Sequence, residues 1–335
     1  MILSGLFFSV ILSFKSREFK TMQKDYWIIA YYIFTPIEDP LEEVRRHQKF
    51  LENKDIKCRI YIAHNGINAQ MSGYKTDAQI YLEWMKQDAR FKEISFKIDV
   101  YYEHVFPKTC VKFRKQLVAL DEEVDLELTG THLSPKEWKE MLEDRDENVL
   151  LLDVRNQYEW ELGHFAGAKL PRLKNFRDFS PYAKKLKDHY DPTHTKVMMY
   201  CTGGIRCELY SALLKKEGFS EIYQLDGGVI NYGKQESTAH WKGKLFVFDD
   251  RLSVCIDEKV DEVISHCSHC KTSSDTYYNC ANMDCNELFL CCPTCAEKLK
   301  GCCGNTCMSA GRIRPYQAAL RPKPFRRYSK ESELN

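Results

Sequence analysis

From Tyr26 to Phe34 the chain is almost entirely aromatic or β-branched, and Pro40 then opens PLEEVRRHQKFLENK, in which Leu41, Val44 and Phe50 suggest an apolar stripe at helical spacing. The pattern predicts a strand followed by a helix. KCRIYIA and INAQMS read as two short strands around His64-Asn65-Gly66, KTDAQIYLEWMKQ as a helix, and SFKIDVYY as a further strand.

That βαββαβ order predicts a ferredoxin-like α+β sandwich, assigned to residues 22–120. Ser134-Pro135-Lys136-Glu137 has the form of a capping box with proline at the first helical position, and the helix it starts runs through Trp138, Met141 and Leu142. NVLLLDV, KVMMY and EIYQL are apolar runs suited to strands buried on both faces, with SPYAKKLKDHY and RCELYSALLKKEG as helices between them. Strands alternating with helices predict an α/β domain with a mostly parallel sheet over residues 133–248. From Cys255 the hydrophobic pattern fails and cysteine replaces it. A cysteine-rich module is assigned to 255–310 and a basic, proline-interrupted tail, expected to be extended or disordered, to 311–335.

Residues 1–21 stand apart. MILSGLFFSVIL has the length of a signal peptide but no basic segment before it and no small-residue cleavage site after it, and it is too short to span a bilayer. Either Met22 is the true start or the segment lies on a membrane surface. The whole chain has 335 residues with 49 basic and 48 acidic side chains, so a polyanion-coating role is excluded and any nucleic-acid contact must come from local patches. Ten of the 15 cysteines fall between Cys267 and Cys307. With no secretory signal, that clustering favours a metal site in a cytoplasmic protein over a disulfide scaffold, and no membrane partner is expected.

The most informative stretch is YCTGGIRC, Tyr200 to Cys207, where a buried strand ends and a helix begins. Ligands in open α/β sheets sit at the carboxyl ends of strands, and a helix N-terminus there offers unpaired N–H groups and a positive dipole end. The loop, with Thr202, Gly203, Gly204 and Ile205, is predicted to be an anion cradle with the Cys201 thiol at its entrance. The two glycines permit its tight curve, and Arg206 closes the ring around an anionic substrate or a terminal sulfur. In such a field a cysteine pKa falls from about 8.5 into the range of roughly 3.5–7.5. Asp153, Arg155 and Glu159 follow one strand and Asp226, Gly227 and Gly228 another, all expected at the same sheet edge. Cys207 reads either as a thiol that resolves an oxidised Cys201 or as a small residue packed beneath the loop; the second is preferred, because free cysteine is among the most buried residue types.

Three segments, D-V-R-x-x-x-E-W-x-x-G-H-F-x-G-A, C-T-G-G-I-R and Y-x-L-x-G-G, resemble the rhodanese (sulfurtransferase) domain. By that resemblance Cys201 carries a persulfide, Arg206 and the loop amides stabilise it, and Asp153 and Arg155 order the neighbouring loop. Together with GINAQMSG, VFPKTCVKFRKQLVAL and CANMDCNELFLCCPTCAEKLKGCCGNTC, the chain looks like the bacterial tRNA uridine hydroxylases, whose members make 5-hydroxyuridine at the tRNA wobble position with molecular oxygen as co-substrate and the rhodanese cysteine. The implied partners are tRNA and a sulfur donor. A small-molecule sulfurtransferase is the second reading and an RNA-binding adaptor the third. No flavin or haem signature is present, and the sequence leaves the electron source and the oligomeric state open.

Cys267/Cys270, Cys280/Cys285, Cys292/Cys295 and Cys303/Cys307 form chelating pairs suited to tetrahedral structural zinc. They make two sites, or one with spare thiols, with His266 and His269 as possible substitutes. The module is expected to fold only with metal, and chelation to disorder it while the α/β domain stays folded. Basic residues gather at Lys108, Lys112, Arg114 and Lys115 and in the tail at Arg312, Arg314, Arg321, Lys323, Arg326 and Arg327. Phe106, Phe113, Tyr316, Phe325 and Tyr328 accompany them as candidate stacking groups. Such runs are usually solvated surface, and their link to tRNA rests on the resemblance. His64, Asn65 and Asn68 are expected mainly to shape a turn.

Overall fold

A computed structural model describes residues 23–316; the expectations for residues 1–22 and for Arg321, Lys323, Phe325, Arg326, Arg327 and Tyr328 fall outside them. The chain divides into two compact units between Leu117 and Val118.

The first unit runs β1 (Tyr26–Phe34), α1 (Pro40–Leu51), β2 (Ile56–Ala63), β3 (Gly66–Tyr74), α2 (Lys75–Lys86), β4 (Lys97–Tyr101) and β5 (Cys110–Phe113). The sheet order β4-β1-β3-β2 is antiparallel throughout, as the ferredoxin-like reading requires, and β5 adds a fifth, parallel strand beside β2. This strand comes from the segment read only as a junction: Val111 turns toward the helices and joins the core while Lys112 stays exposed. Helix α1 starts at Asp39, whose carboxylate accepts the N–H groups of Leu41 and Glu42 at 3.0 and 2.9 Å. Its buried side keeps Val44 and the partly buried Phe50 of the predicted stripe but not Leu41. Leu41 is 55% exposed, while Glu43, Val44, His47 and Leu51 face inward.

The second unit contains β6 (Thr131–Leu133), α3 (Pro135–Glu143), β7 (Val149–Asp153), α4 (Gln157–Trp160), β8 (Gly163–Phe165), α5 (Phe179–Leu186), β9 (Lys196–Tyr200), α6 (Ile205–Lys216), β10 (Glu221–Leu225) and α7 (Gly228–Glu236). Strands β6-β10-β9-β7 form the expected parallel sheet. The apolar runs on β7 and β9 are buried almost throughout. The Ser134–Glu137 capping box opens α3, and Trp138 packs with Val229 and Tyr232 of α7 against Leu151, Met198 and Leu225 of the sheet.

After β11 (Trp241–Gly243), β12 (Leu245–Phe246) and β13 (Ser253–Val254) comes the cysteine-rich part, with β14 (Tyr277–Asn279), β15 (Leu288–Leu290), α8 (Pro293–Lys298) and α9 (Asn305–Met308). It has more apolar support than its composition suggested. Tyr278, Phe289, Ala281 and Ala296 pack among its cysteines, and Tyr277 and Leu290 join Leu162, Phe246 and Leu252 in a cluster shared with the α/β part. No helix among the described residues is long and apolar enough to cross a membrane.

Candidate active site and metal centres

Strand β9 delivers Tyr200 into the core, and the chain curls through Cys201–Gly204 before α6 begins. Gly204 holds this curl with φ of +104°, a conformation other residues rarely adopt, whereas Gly203 has no such positive φ and is not crowded. The Gly204 N–H donates to Cys201 Sγ at 3.1 Å, and the Arg206 N–H and the Cys207 thiol point hydrogen bonds at the same sulfur. Cys201 has no exposed surface, so the thiol sits at the base of the loop and not at its entrance. Burial by itself pushes this thiol up. The bond from Cys207, the Arg206 charge and the two backbone amides outweigh it and hold the pKa at about 5. Burial and the adjacent Cys201 sulfur push the Cys207 thiol well above its ordinary value, so it remains a protonated donor. Cys207 is thus packed under the loop and in contact with Cys201 at once.

Arg206 does not point at a vacant anion position. Its Nη1 and Nη2 donate to the two carboxylate oxygens of Glu159 at 2.5 and 2.7 Å, and the Thr202 hydroxyl donates to the same carboxylate at 3.0 Å. Both side chains are buried. Desolvation raises the Glu159 pKa, but the guanidinium beside it prevails and holds it below the ordinary range. The carboxylate therefore fixes the loop by gripping Thr202 and Arg206. Its sequence signal was only a place in the segment after β7, and its partners are far along the chain.

Asp153 and Arg155 meet at the end of β7. Arg155 Nε donates to both Asp153 oxygens at 2.9 and 3.1 Å, and Nη2 reaches Asp153 at 2.6 Å and the Gly163 carbonyl at 2.7 Å. The guanidinium lies over the rings of Tyr200 and Trp241. On the other side, Val229 and Ile230 N–H groups donate to the carbonyls of Cys201 and Thr202 at 3.0 and 3.1 Å. Any Cβ at Gly228 would lie 2.5 Å from the Cys201 oxygen, so this close approach demands glycine. The three segments thus converge on one loop.

The cysteine pairs assemble into two sets, Cys267/Cys270 with Cys292/Cys295 and Cys280/Cys285 with Cys303/Cys307, the ligand atoms of each lying within 4.8 Å of one another. Sulfur separations are 3.6 Å for Cys270–Cys292 and 3.7 Å for Cys285–Cys303 and Cys303–Cys307. Four sulfurs around a tetrahedral ion at about 2.3 Å would be roughly 3.8 Å apart, so the donor sets fit such an ion. His266 and His269 belong to neither set; His269 meets the edge of Phe289.

The basic candidates are more scattered. Lys108, Lys112, Arg114 and Lys115 are exposed on or beside β5. Phe106, by contrast, is buried with Ile28 and Val105 and offers no stacking surface, whereas Phe113 is exposed. Arg312 pairs with Asp284, Arg314 donates to the Cys280 carbonyl and to Asn286, and Tyr316 packs against the cysteine cluster. These three belong to the cysteine-rich module and not to a loose tail. His64 lies within hydrogen-bond distance of the Ile37 carbonyl, and Asn68 is on β3.

Residues 26–117 match the UPF0176 acylphosphatase-like domain, 134–235 the rhodanese-like domain and 242–308 the rhodanese C-terminal domain. A protein of Protochlamydia amoebophila named tRNA uridine(34) hydroxylase is 54% identical over 305 residues, covering 91% of this chain and 95% of that protein. Similarly named proteins of Chlamydia felis and Chlamydia pneumoniae are 54% and 53% identical over 308 residues, covering 91% of this chain and 94% of each relative.

Proposed function

Because the chain belongs to the tRNA uridine(34) hydroxylase family, we propose that it converts the wobble uridine of tRNA to 5-hydroxyuridine, with molecular oxygen as co-substrate and Cys201 as the reactive group. Such a hydroxylation places one oxygen atom on the base and reduces the other to water, so a reductant must supply two electrons alongside two protons. The observation that carries a role for Cys201 is its buried sulfur, held by the Gly204 N–H at 3.1 Å beneath a helix N-terminus. Such a sulfur is a nucleophile near neutrality, and a terminal sulfur added to it would meet the same amides. Arg206 acts through its charge and by fixing the loop with Glu159 and Thr202. Asp153 and Arg155 hold the strand end from which the loop is supported.

Cys201→Ser is expected to abolish 5-hydroxyuridine and leave the fold intact. Mass analysis of tRNA nucleosides from a deletion strain complemented with wild-type or variant chain checks this; normal modification with the serine variant refutes the assignment. The same loop favours a second reading, transfer of sulfane sulfur. Attack by the Cys201 thiolate on the outer sulfur of thiosulfate forms a cysteine persulfide and releases sulfite. Unchanged tRNA nucleosides in the deletion strain, with sulfite release intact, would select it.

The two four-cysteine sets favour structural zinc: thiolates at tetrahedral spacing suit this ion, which when bound would clamp together cysteine pairs that lie apart along the chain. We place the reaction in the cytoplasm, where tRNA and reduced thiols coexist.

A further inference from the structure

Strict alternation along the first unit's strands separates two sheet faces. Ile60, Ile62, Ile67 and Ala69 join the core under α1 and α2, so their neighbours Tyr61 and Asn68 point the other way. One end of that second face is covered by Val105 and Phe106 against Ile28. At its other end the register aligns Tyr32 with Asn68, Asn68 with Tyr61, and Tyr61 with Lys112, one residue from each of four adjacent strands. All four are partly or fully exposed. Lys97 lies over the Tyr32 ring at 5.2 Å and Arg114 over the Tyr61 ring at 4.7 Å. Lys57, Arg59, Lys97 and Lys112 stand on this side of the strands with one carboxylate, Asp99. Two tyrosines on strands about 10 Å apart, two strand spacings, with an amide between them and cations at both ends, suit a run of bases unstacked from one another and joined by phosphates.

We propose that this face of the acylphosphatase-like domain is a platform for unpaired nucleotides of the tRNA, with Tyr32 and Tyr61 stacking on two bases, Asn68 reading a base edge between them, and Lys112 and Arg114 holding phosphates. The proposal rests on tRNA being the substrate. It requires single-stranded RNA, because paired bases do not present their faces to a flat sheet. An apolar protein partner is disfavoured by the amide and cations interleaved with the rings.

The test uses the full chain and a fluorescent anticodon stem-loop, with a fully paired stem of equal length as competitor. Wild type is expected to prefer the looped RNA. Tyr32→Ala and Tyr61→Ala should each weaken binding about tenfold, while Tyr61→Phe, which keeps the ring, should bind nearly as wild type. Lys112→Ala should weaken binding of all RNAs alike and reduce the salt slope by about one. Iodoacetamide capture of Cys201 should be unchanged in all of them, showing that the second unit is intact. As a readout independent of any substitution, photocrosslinking of 4-thiouridine-substituted stem-loop to wild-type chain should label peptides of β1–β3 or β5. Wild-type affinity in a chain carrying both Tyr32→Ala and Tyr61→Ala, or crosslinks confined to the second unit, would overturn the platform while leaving the hydroxylase reading in place. A wild-type chain that neither binds nor modifies tRNA would overturn both.

Discussion

Cys201 is buried and yet anionic, and the two properties have separate causes: packing excludes water, while amides, a thiol and a guanidinium replace it. Because a depressed thiol pKa means that the thiolate is lost only on acidification, alkylation by a small reagent should rise with pH through about 5 and be level by neutrality. Cys207→Ala removes one donor to the charged form, so the midpoint of that profile should move upward; an unchanged midpoint would show that the thiol contact contributes nothing. Glu159→Ala leaves the Arg206 guanidinium buried without its carboxylate, and by analogy with other broken buried pairs should cost about 3–5 kcal/mol in urea unfolding. Cys201 and its glycine loop were visible in sequence because they are contiguous. The Glu159–Arg206 pair was not, since its members are 47 positions apart and only the fold of the sheet brings them together.

Helix α1 shows why polar residues mislead a reading based on apolar periodicity. Glu43 and His47 occupy its buried side because Arg46, Arg90 and His47 satisfy the Glu43 carboxylate. Burial raises that carboxyl, but its hydrogen bonds to His47, Arg46 and Arg90 prevail and hold it at about 2. The folded value lies below the unfolded one of about 4.3, so the stabilisation is present above that value and is lost as pH falls toward 2. The protection of the α1 amides, taken relative to their intrinsic exchange rate at each pH, should therefore fall across that window, and Glu43→Gln should flatten the response. The strand order of β1 to β4 followed from the βαββαβ succession of elements, whereas β5 was missed: four residues with two exposed side chains carry too little apolar signal.

The cysteine-rich module is tied to the α/β part by more than chain connectivity. The Tyr277 hydroxyl donates to the Tyr158 carbonyl at 2.6 Å, one residue before the carboxylate that grips Arg206, and Leu162 and Leu290 share a core. Chelation should thus raise hydrogen exchange at residues 157–165 as well as 267–307, in contrast to the independence expected from composition; a change confined to the cysteines would refute this coupling. The order of the ligand pairs has a further consequence. The first and third pairs make one four-sulfur set and the second and fourth the other, so the chain loop that an ion would close at either set encloses half of its neighbour's. Closing either loop removes chain entropy that the other would otherwise have to lose. Zinc titrated into metal-free chain should then partition unevenly among molecules: at one equivalent, native mass spectra should contain mostly empty and doubly loaded species, with few carrying a single ion.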